Sequence, residues 1–482
     1  MTVSDPAPRA RDRALSFGAG EQWKVESGRG RQSPARGPRP PAWGPRGLGP
    51  PGGGLADGLV LVGEKPALLR STFYCLLSTL GLTLMASNRT RLSSDLRAAA
   101  TREQASELRS LAVRALTRMY VPEAGLFAFT ARRGRDGLVL EGTSRRYTAT
   151  ALIGLAGHPQ AASAVLRGRG MHDVCGRLIR DAEETADLGE AALTLWASRA
   201  LSHPQTERAL RRLQAMDPRG GAYPTVELAW SLTALTVERV EGADVTDPGL
   251  AEGLARRLIR SFNSSSGLFP HWPERGSSSW LRSHVSCFAD LVYPIQALSH
   301  FARAAGSDEA AAAARRCAGR MCELQGPDGQ WWWHYDVRTG RVIEQYPVYA
   351  VHQDSMAPMA LAALAAACGE DHRDCVRKGL QWLADPPEAP APLIDPECGV
   401  IWRKVARHEP RKLVRGLQAA ASRLHPSLRL PGTDLLFPPG CIDYETRPYH
   451  MGWILHAWPS EADGQASQSR ISPAKASLSS GQ

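Results

Sequence analysis

Carboxylates, imidazoles and aromatic rings are concentrated in three short segments of this sequence. The richest covers residues 331–354, its counterpart covers 269–290, and a third covers 443–450. Aspartate, histidine and tyrosine can move protons near neutral pH, and a tryptophan ring offers a flat surface on which a sugar or a hydrocarbon can lie. The three segments therefore indicate an acid/base site.

Two aspartates are the leading catalytic candidates. Asp290-Leu-Val-Tyr-Pro294 and Asp354-Ser-Met-Ala-Pro358 share the pattern Asp-x-x-x-Pro. Because proline is tolerated in the first turn of a helix, the pattern predicts that each aspartate lies just before a helix begins. Backbone N–H groups at that position favour an ionised carboxylate, which suits a base or a nucleophile. A plain capping role is the alternative for each.

The residues upstream of Asp354 are predicted to share in the proton transfer. His352 lies two residues before it and Tyr349 lies a little further upstream. A histidine that only satisfies a structural hydrogen bond is the alternative to the catalytic interpretation. Further candidates in the same three segments, and on the third hairpin, are Asp336, Glu344, Glu445, His450 and Glu227.

Other side chains in these segments are predicted to hold the substrate. Trp332 and Trp333 follow another tryptophan, and three consecutive rings cannot all face one core. With Trp272 they are the predicted stacking surfaces, and His334 is a further contact. Arg447 could bind a carboxylate group of the substrate with two hydrogen bonds. Packing for the tryptophans and an internal salt bridge for Arg447 are the alternatives.

Two kinds of helix alternate along the chain and would position these segments. One kind has an Arg-rich polar face and belongs at a surface, whereas the other is apolar nearly all round and belongs inside. Polar-faced helices are predicted at 101–120, 161–183, 205–216, 248–262, 308–324 and 371–383, and apolar helices at 144–155, 187–201, 225–237, 289–304, 355–367 and 448–458. Six of each predict an all-α (α/α)₆ toroid of six helical hairpins, without a strand pair. An irregular helical solenoid is the alternative.

One short motif carries a family resemblance. Gln325-Gly-Pro-Asp-Gly329-Gln-Trp331 fits Q-x₃-G-x-W, the core of a repeat in terpenoid cyclases and protein prenyltransferases, and residues 263–269 resemble a degraded copy. As an architecture the chain is also similar to six-hairpin glycosidases, sugar epimerases and polysaccharide lyases. The resemblance implies the toroid and leaves the reaction open. D-x-D-D and D-D-x-x-D motifs are absent, and no Asp/Cys/His zinc set is recognisable, because no matching histidine motif follows Cys287 and Asp290.

The two ends of the chain differ from this helical region. Residues 1–57 are rich in Arg, Pro and Gly, and residues 459–482 in Ser, Gln and Ala, so both are predicted to be disordered tails. Residues 58–100 are predicted to form an apolar helix and a linker, and their uncharged stretch at 71–87 favours a packing helix over a membrane anchor. A translation start at Met85 would remove everything before it. The toroid domain is predicted over 101–458.

Charge and cysteine usage limit the partners. The net charge of +10 permits an acidic substrate, but no basic helix or aromatic–basic motif indicates a nucleic acid. Nine cysteines without a C-x-x-C pair or a His/Cys cluster at metal spacing predict reduced, mostly buried thiols in the cytoplasm, with no metal and no other cofactor.

These observations predict a carbohydrate-active enzyme of the glycoside hydrolase, polysaccharide lyase or sugar epimerase type. Asp354 and Asp290 would be its acid/base pair, and its substrate would be a small molecule or an oligosaccharide. A terpenoid cyclase-like or prenyltransferase-like toroid and a non-catalytic toroid that binds a glycan or a protein are the alternatives. Carboxylates from neighbouring inner helices can lie at the separation that a glycosidase requires.

Overall fold

A computed structural model describes residues 103–237, 247–274, 280–410 and 413–459. The predicted tails, the helix and linker at 58–100 and the alternative start at Met85 lie outside these residues. The helices are α1 (103–119), α2 (Arg145–Ala156), α3 (Pro159–Val165), α4 (Met171–Asp181), α5 (Leu188–Ala200), α6 (Thr206–Ala215), α7 (Thr225–Thr236), α8 (Pro248–Ser261), α9 (Ala289–Ala305), α10 (Asp308–Glu323), α11 (Ala357–Cys368), α12 (Arg373–Ala384), α13 (Leu413–Leu424), α14 (Thr433–Leu436) and α15 (Pro448–Ala457). Two 3₁₀ turns (Ala182–Glu184 and Trp280–Arg282) and a π-helical turn (His352–Met356) complete the helical structure of this part of the chain.

The strands of the described residues are short and pair only antiparallel. They are β1 (Tyr120–Val121), β2 (Leu126–Gly134), β3 (Gly137–Thr143), β4 (Val285–Cys287), β5 (His334–Asp336), β6 (Arg341–Glu344), β7 (Val348–Tyr349), β8 (Ile394–Asp395), β9 (Val400–Ile401), β10 (Lys404–Arg407), β11 (Pro439–Asp443) and β12 (Glu445–Thr446). One sheet has the order β1-β2-β12 with β3 also paired to β2, and the others have the orders β11-β10-β7, β4-β5-β6 and β8-β9.

The six apolar helices α2, α5, α7, α9, α11 and α15 form a closed inner ring. Each packs against the next, and α15 returns to α2. The last contact is made at Gly154 and Gly452, where a side chain on either glycine would collide with the backbone of the other helix. Most residues of α2, α5, α7, α9 and α15 are buried, because helices or the ring interior surround them. In α11 the N-terminal half is buried and the C-terminal half is partly exposed.

The polar-faced helices pack outside this ring. Helices α4 and α6 pack on α5, α8 packs on α7, and α10 packs on α9 and α11. Their apolar stripes face inward, and their arginines and glutamates face the solvent. The predicted (α/α)₆ toroid is confirmed. Because an outer helix returns the chain after each inner helix, the inner helices all begin at one end of the ring, which we call the mouth.

Two predictions about the elements are wrong. The polar-faced helix at 161–183 is divided into α3 and α4, because Arg167 and Gly168 have left-handed backbone conformations, with φ of 52° and 80°. The expectation of no strand pair fails at β2 and β3, a hairpin whose turn contains Asp136 followed by Gly137. Asp-Gly between two strand-like runs is a strong hairpin signal. The strands precede α2, α9, α11 and α15, so they lie at the mouth.

The two Asp-x-x-x-Pro segments begin their helices differently. The predicted helix at 289–304 agrees with α9, but Asp290 is its second residue and Pro294 lies inside it, so the expectation that Asp290 precedes the helix is wrong. Asp354 lies in the π-helical turn immediately before α11, whose first turn contains Pro358, as predicted. Both aspartates are fully buried at the N-terminal end of an inner helix.

The Q-x₃-G-x-W motif attaches the loop after α10 to the outer helix α12. The Gln325 side-chain amide donates to the carbonyls of Gly329 and Cys375, at 2.9 Å each. The Trp331 ring is fully buried and faces Gly379 of α12. Trp331 therefore packs the loop onto the outer helix.

Gly329 is the tightest point of this attachment. Its φ of 101° is left-handed, and an added methyl group would overlap the carbonyl oxygen of Lys378. We expect Gly329→Ala to lower the free energy of unfolding by about 3 kcal/mol, because the strained backbone conformation and the overlap of the methyl group with the Lys378 carbonyl both destabilise the fold. Gly369→Ala is the control, because Gly369 also has a positive φ but faces open space. Urea unfolding of both variants measures the difference, and equal losses would contradict the steric argument.

Two further features of the described residues bear on the predictions. None of their helices combines the length and apolar character that a membrane span requires. Their eight cysteines are free thiols, but only Cys175 and Cys317 are buried, so the expectation of mostly buried thiols is wrong.

Candidate active site

Asp354 and His450 form a buried carboxylate–imidazole contact at the mouth. The carboxylate oxygens of Asp354 lie 2.7 and 2.9 Å from Nε2 of His450, and the backbone carbonyl of Asp354 accepts from Nε1 of Trp458 at 2.6 Å. His450 lies in the first turn of α15 and is 4% exposed. A carboxylate that holds one imidazole nitrogen fixes the ring and its tautomer, so that the other nitrogen can exchange a proton.

His352, the predicted partner of Asp354, is placed differently. Its ring stacks on Trp333 with an interplanar angle of 13° and lies 4.3 Å from the Phe288 ring centroid. Its Nδ1 lies 3.5 Å from the carbonyl of Trp331. Residues two positions apart in a helical turn point in different directions, so proximity in sequence was a poor guide here. Burial lowers the pKa of His352 to about 3, and the ring is neutral at pH 7.

We expect this buried imidazole to make the fold sensitive to acid. Since the pKa in the folded state lies below the usual 6.5, the stabilisation is present above pH 6.5 and is lost as pH falls toward 3. The loss would reach about 2 kcal/mol at pH 5. His352→Phe should flatten the dependence of unfolding free energy on pH between 6.5 and 5, whereas His408→Phe, at an exposed site, should not. Unchanged slopes in denaturant titrations of His352→Phe would contradict this expectation.

Asp290 lies in a second cluster, at the start of α9. Its carboxylate accepts the backbone N–H of Cys287 at 2.8 Å, and each of its oxygens lies 3.1 Å from Nδ1 of His271. The His271 side chain is 44% exposed, whereas Asp290 is fully buried. Burial opposes a charge on His271, but Asp290 more than offsets it and raises the histidine pKa. We call His271, Cys287 and Asp290 the Asp290 cluster.

A third group joins β12, the residue before β10, and the starts of α2 and α15. Arg403 donates to Glu445 at 3.0 Å and lies 5.4 Å from the Tyr349 ring centroid, so the predicted catalytic tyrosine contacts a buried guanidinium. Arg447 donates to Glu445 at 2.5 Å and to the Tyr147 hydroxyl at 2.8 Å. Arg447 is thus committed to an internal salt bridge, and we do not retain it as a direct substrate ligand.

A further ion-pair network joins the starts of α2, α5 and α7. Arg146 donates to Asp187, the N-cap of α5, and to Glu227 in the first turn of α7, at 2.6 Å from the latter. Burial raises the pKa of Glu227, although Arg146 opposes the shift. The networks balance the buried positive charges with carboxylates, so the mouth does not require an anionic substrate.

The predicted stacking residues have different surroundings. Trp332 and Trp333 are 5% and 6% exposed, and they pack edge-on against Tyr346 and beside Tyr349 respectively. Trp272 is half-buried and lies edge-on to His271, 5.9 Å between centroids, so it is the predicted stacking ring with an open face. His334 is buried in β5, opposite Cys287 of β4.

A cavity of about 400 Å³ lies apart from these groups. Glu344 of β6, Arg407 of β10 and Asp434 of α14 line it, and Arg407 donates to both carboxylates at 2.9 and 2.7 Å. Neither Asp354 nor Asp290 contributes to its wall.

Arg403 and Arg407 are among the polar residues that the sequence did not single out. Arg407 ends β10 and Arg403 immediately precedes it, in a stretch where the sequence predicts only a connection and where an arginine is typical of a surface. The signal that could have revealed them is alternation: in Lys404–Arg407 the second and fourth residues are buried, which is the period of a strand.

The part of the chain described here is thus an (α/α)₆ toroid whose mouth holds two aspartate–histidine contacts. No protein-family model matches the sequence, and no curated protein matches it. Among solved structures it is similar to a sugar epimerase from a ruminal bacterium, with a TM-score of 0.50 and 9% identity over 73% of this chain and 97% of that one. It is also similar to cellobiose 2-epimerase from Bacillus thermoamylovorans, with a TM-score of 0.48 and 11% identity over 70% and 93% of the two chains. Unsaturated glucuronyl hydrolase from a Bacillus species has a TM-score of 0.46 and 14% identity over 74% and 96%. At such identities the likeness concerns the fold.

Proposed function

We propose that this chain is a carbohydrate-active enzyme that moves a proton on a sugar bound at the mouth of the toroid. The observation that carries the proposal is the Asp354–His450 pair, in which a buried carboxylate holds Nε2 of an imidazole at 2.7 Å. In this arrangement Nε2 carries the proton that Asp354 accepts, and Nδ1 exchanges protons with the substrate. Tyr349 and Trp272 would line the same binding region.

The contacts of the two aspartates favour this chemistry over hydrolysis by two carboxylates. A glycosidase needs one carboxyl group that protonates the leaving oxygen and another that attacks or activates water. Here both oxygens of Asp354 contact His450, and both oxygens of Asp290 contact His271. The reacting groups would therefore be imidazoles. Proton removal beside a carbonyl, as in sugar epimerisation or uronate elimination, needs such a base, and the neighbour with the TM-score of 0.50 is a sugar epimerase.

Incubation with sugars in D₂O tests the proposal. The full chain would be mixed with reducing disaccharides and with oligosaccharides that end in a uronic acid, and the products followed by NMR. Epimerisation should give an epimer that carries solvent deuterium at one sugar carbon. Uronate elimination should give an unsaturated product that has lost the hydrogen of that carbon, with the leaving sugar released. New reducing ends with neither an unsaturated sugar nor deuterium at carbon would indicate a hydrolase instead.

The remaining outcomes distinguish the alternatives. Tight binding of a sugar without any product would support the glycan-binding toroid and contradict the enzymatic proposal. Turnover of an isoprenoid diphosphate, offered in a parallel reaction, would support the terpenoid or prenyltransferase alternative.

A further inference from the structure

The Asp290 cluster combines three kinds of metal ligand in a small volume. One potential ligand atom each from His271, Cys287 and Asp290 lies within 4.8 Å of the others. Around a tetrahedral zinc ion with bonds of about 2.0–2.3 Å, ligand atoms are about 3.3–3.7 Å apart. Small side-chain rotations therefore suffice to bring the three atoms onto one ion. The zinc pattern expected from the sequence has its histidine motif after Cys287 and Asp290. This set was missed because His271 precedes both residues.

The backbone holds the three residues in place. Cys287 lies on β4, which pairs with β5, and its N–H is bonded to Asp290 at 2.8 Å. The carbonyl of His271 accepts the N–H of Thr225, at the start of α7, at 3.0 Å. Because strand pairing and helix starts already position the ligands, little of the free energy of metal binding would be spent on ordering them.

A fourth side chain independently points to a ligand. His334 is opposite Cys287 across β4 and β5, and directly opposite residues project from the same face of a sheet. Its imidazole is 5% exposed, and among the described residues no hydrogen-bond partner reaches its Nδ1. A buried nitrogen with a free lone pair normally costs energy, and a nearby ion or a water molecule on that ion would satisfy it.

We propose that the Asp290 cluster binds a divalent metal ion of the zinc class. Thiolate, imidazole and carboxylate are ligands that zinc accepts together, whereas magnesium and calcium prefer oxygen ligands alone. Binding replaces the thiol proton of Cys287, which leaves to the solvent. Three protein ligands leave one position for water or substrate, and the half-exposed side chains of His271 and Trp272 leave that position open to the mouth. This inference does not depend on the sugar chemistry proposed above.

Metal titration of the full chain tests the inference. After removal of bound metals by a chelator, Co²⁺ would be added as a spectroscopic probe and Zn²⁺ would be titrated by calorimetry. We expect one equivalent of either ion and a thiolate-to-cobalt charge-transfer absorption. Absence of stoichiometric binding at micromolar free metal would overturn the proposal.

Variants assign the site. Cys287→Ser should abolish the charge-transfer absorption, and both Cys287→Ser and His271→Gln should weaken Zn²⁺ binding by more than about 100-fold. Cys398→Ser replaces another half-exposed cysteine and should change neither. Retention of the cobalt absorption in a folded Cys287→Ser variant would place the metal elsewhere. If Cys287→Ser does not fold, His271→Gln decides alone, because this half-exposed side chain tolerates substitution.

Discussion

Turnover is expected to fall by about 10²–10⁴-fold when Asp354 is replaced by asparagine, while the fold is retained. The amide has the size of the carboxylate and still offers an oxygen to His450. It carries no charge, however, so it no longer stabilises the imidazolium that forms when His450 takes a proton from the substrate. The rate constant kcat should therefore fall, and KM should change little, on any substrate identified by deuterium incorporation.

The partner residue separates catalysis from structure. His450→Gln should reduce kcat about as much as Asp354→Asn, and the double variant should be no worse than either, because the two side chains act as one unit. Asp395→Asn is the control, since the Asp395 carboxylate accepts from Trp402 and Cys398 in the turn between β8 and β9. Losses that multiply in the double variant, or an active Asp354→Asn enzyme, would remove the pair from the mechanism.

Glu445→Gln is expected to lower the free energy of unfolding by about 3–5 kcal/mol. Glu445 is 1% exposed and accepts from Arg403, Arg447 and Arg132 at 3.0, 2.5 and 2.9 Å. Glutamine at position 445 carries no charge, so Arg403 and Arg447 stay buried without their shared counter-ion. The free-energy cost of removing the two guanidinium groups from water is then no longer offset. Denaturant unfolding monitored by circular dichroism would measure the change.

Glu141→Gln is the matched control for this prediction. Glu141 binds the same Arg132, at 3.1 Å, but its side chain is 50% exposed. Exposed ion pairs contribute less than about 1 kcal/mol, because water and salt screen them. A Glu445→Gln variant that loses no more stability than Glu141→Gln would show that the buried arginines do not depend on Glu445.

Periodicity predicted the architecture well, and the reason is physical. A helix that is apolar on every side has only one place in a toroid, so the inner helices could be located to within a few residues. Ser144 and Asp187 cap α2 and α5, as their residue types indicate. The prediction of one continuous outer helix at 161–183 was wrong, because two residues with left-handed backbone conformations interrupt the helix while the apolar spacing continues beyond them.

The site was predicted less well, because its contacts join distant parts of the chain. Asp354 and Asp290 were found from their own segments, but their histidine partners were not assigned to them. His450 and Asp354 are 96 positions apart, and no local pattern reports that contact. The same holds for Arg403 with Glu445, which are 42 positions apart. The Asp290 cluster is different: its residues lie within one predicted segment, and only their mutual contacts were missed. Residue types indicated that acid/base groups are concentrated just before the inner helices. Only the tertiary structure shows which carboxylate contacts which histidine or arginine.

Closure of the ring between α2 and α15 has a consequence for biosynthesis. Tyr147 and Arg447, which bond across that junction, are 300 positions apart. While the ribosome is still translating, α2 has no closing neighbour, and its apolar side stays open to water and to other nascent chains. A chain released before α15 is made would lack both the helix that packs against Gly154 and the imidazole that contacts Asp354. Assembly of the domain and completion of the proposed site thus become a single late event.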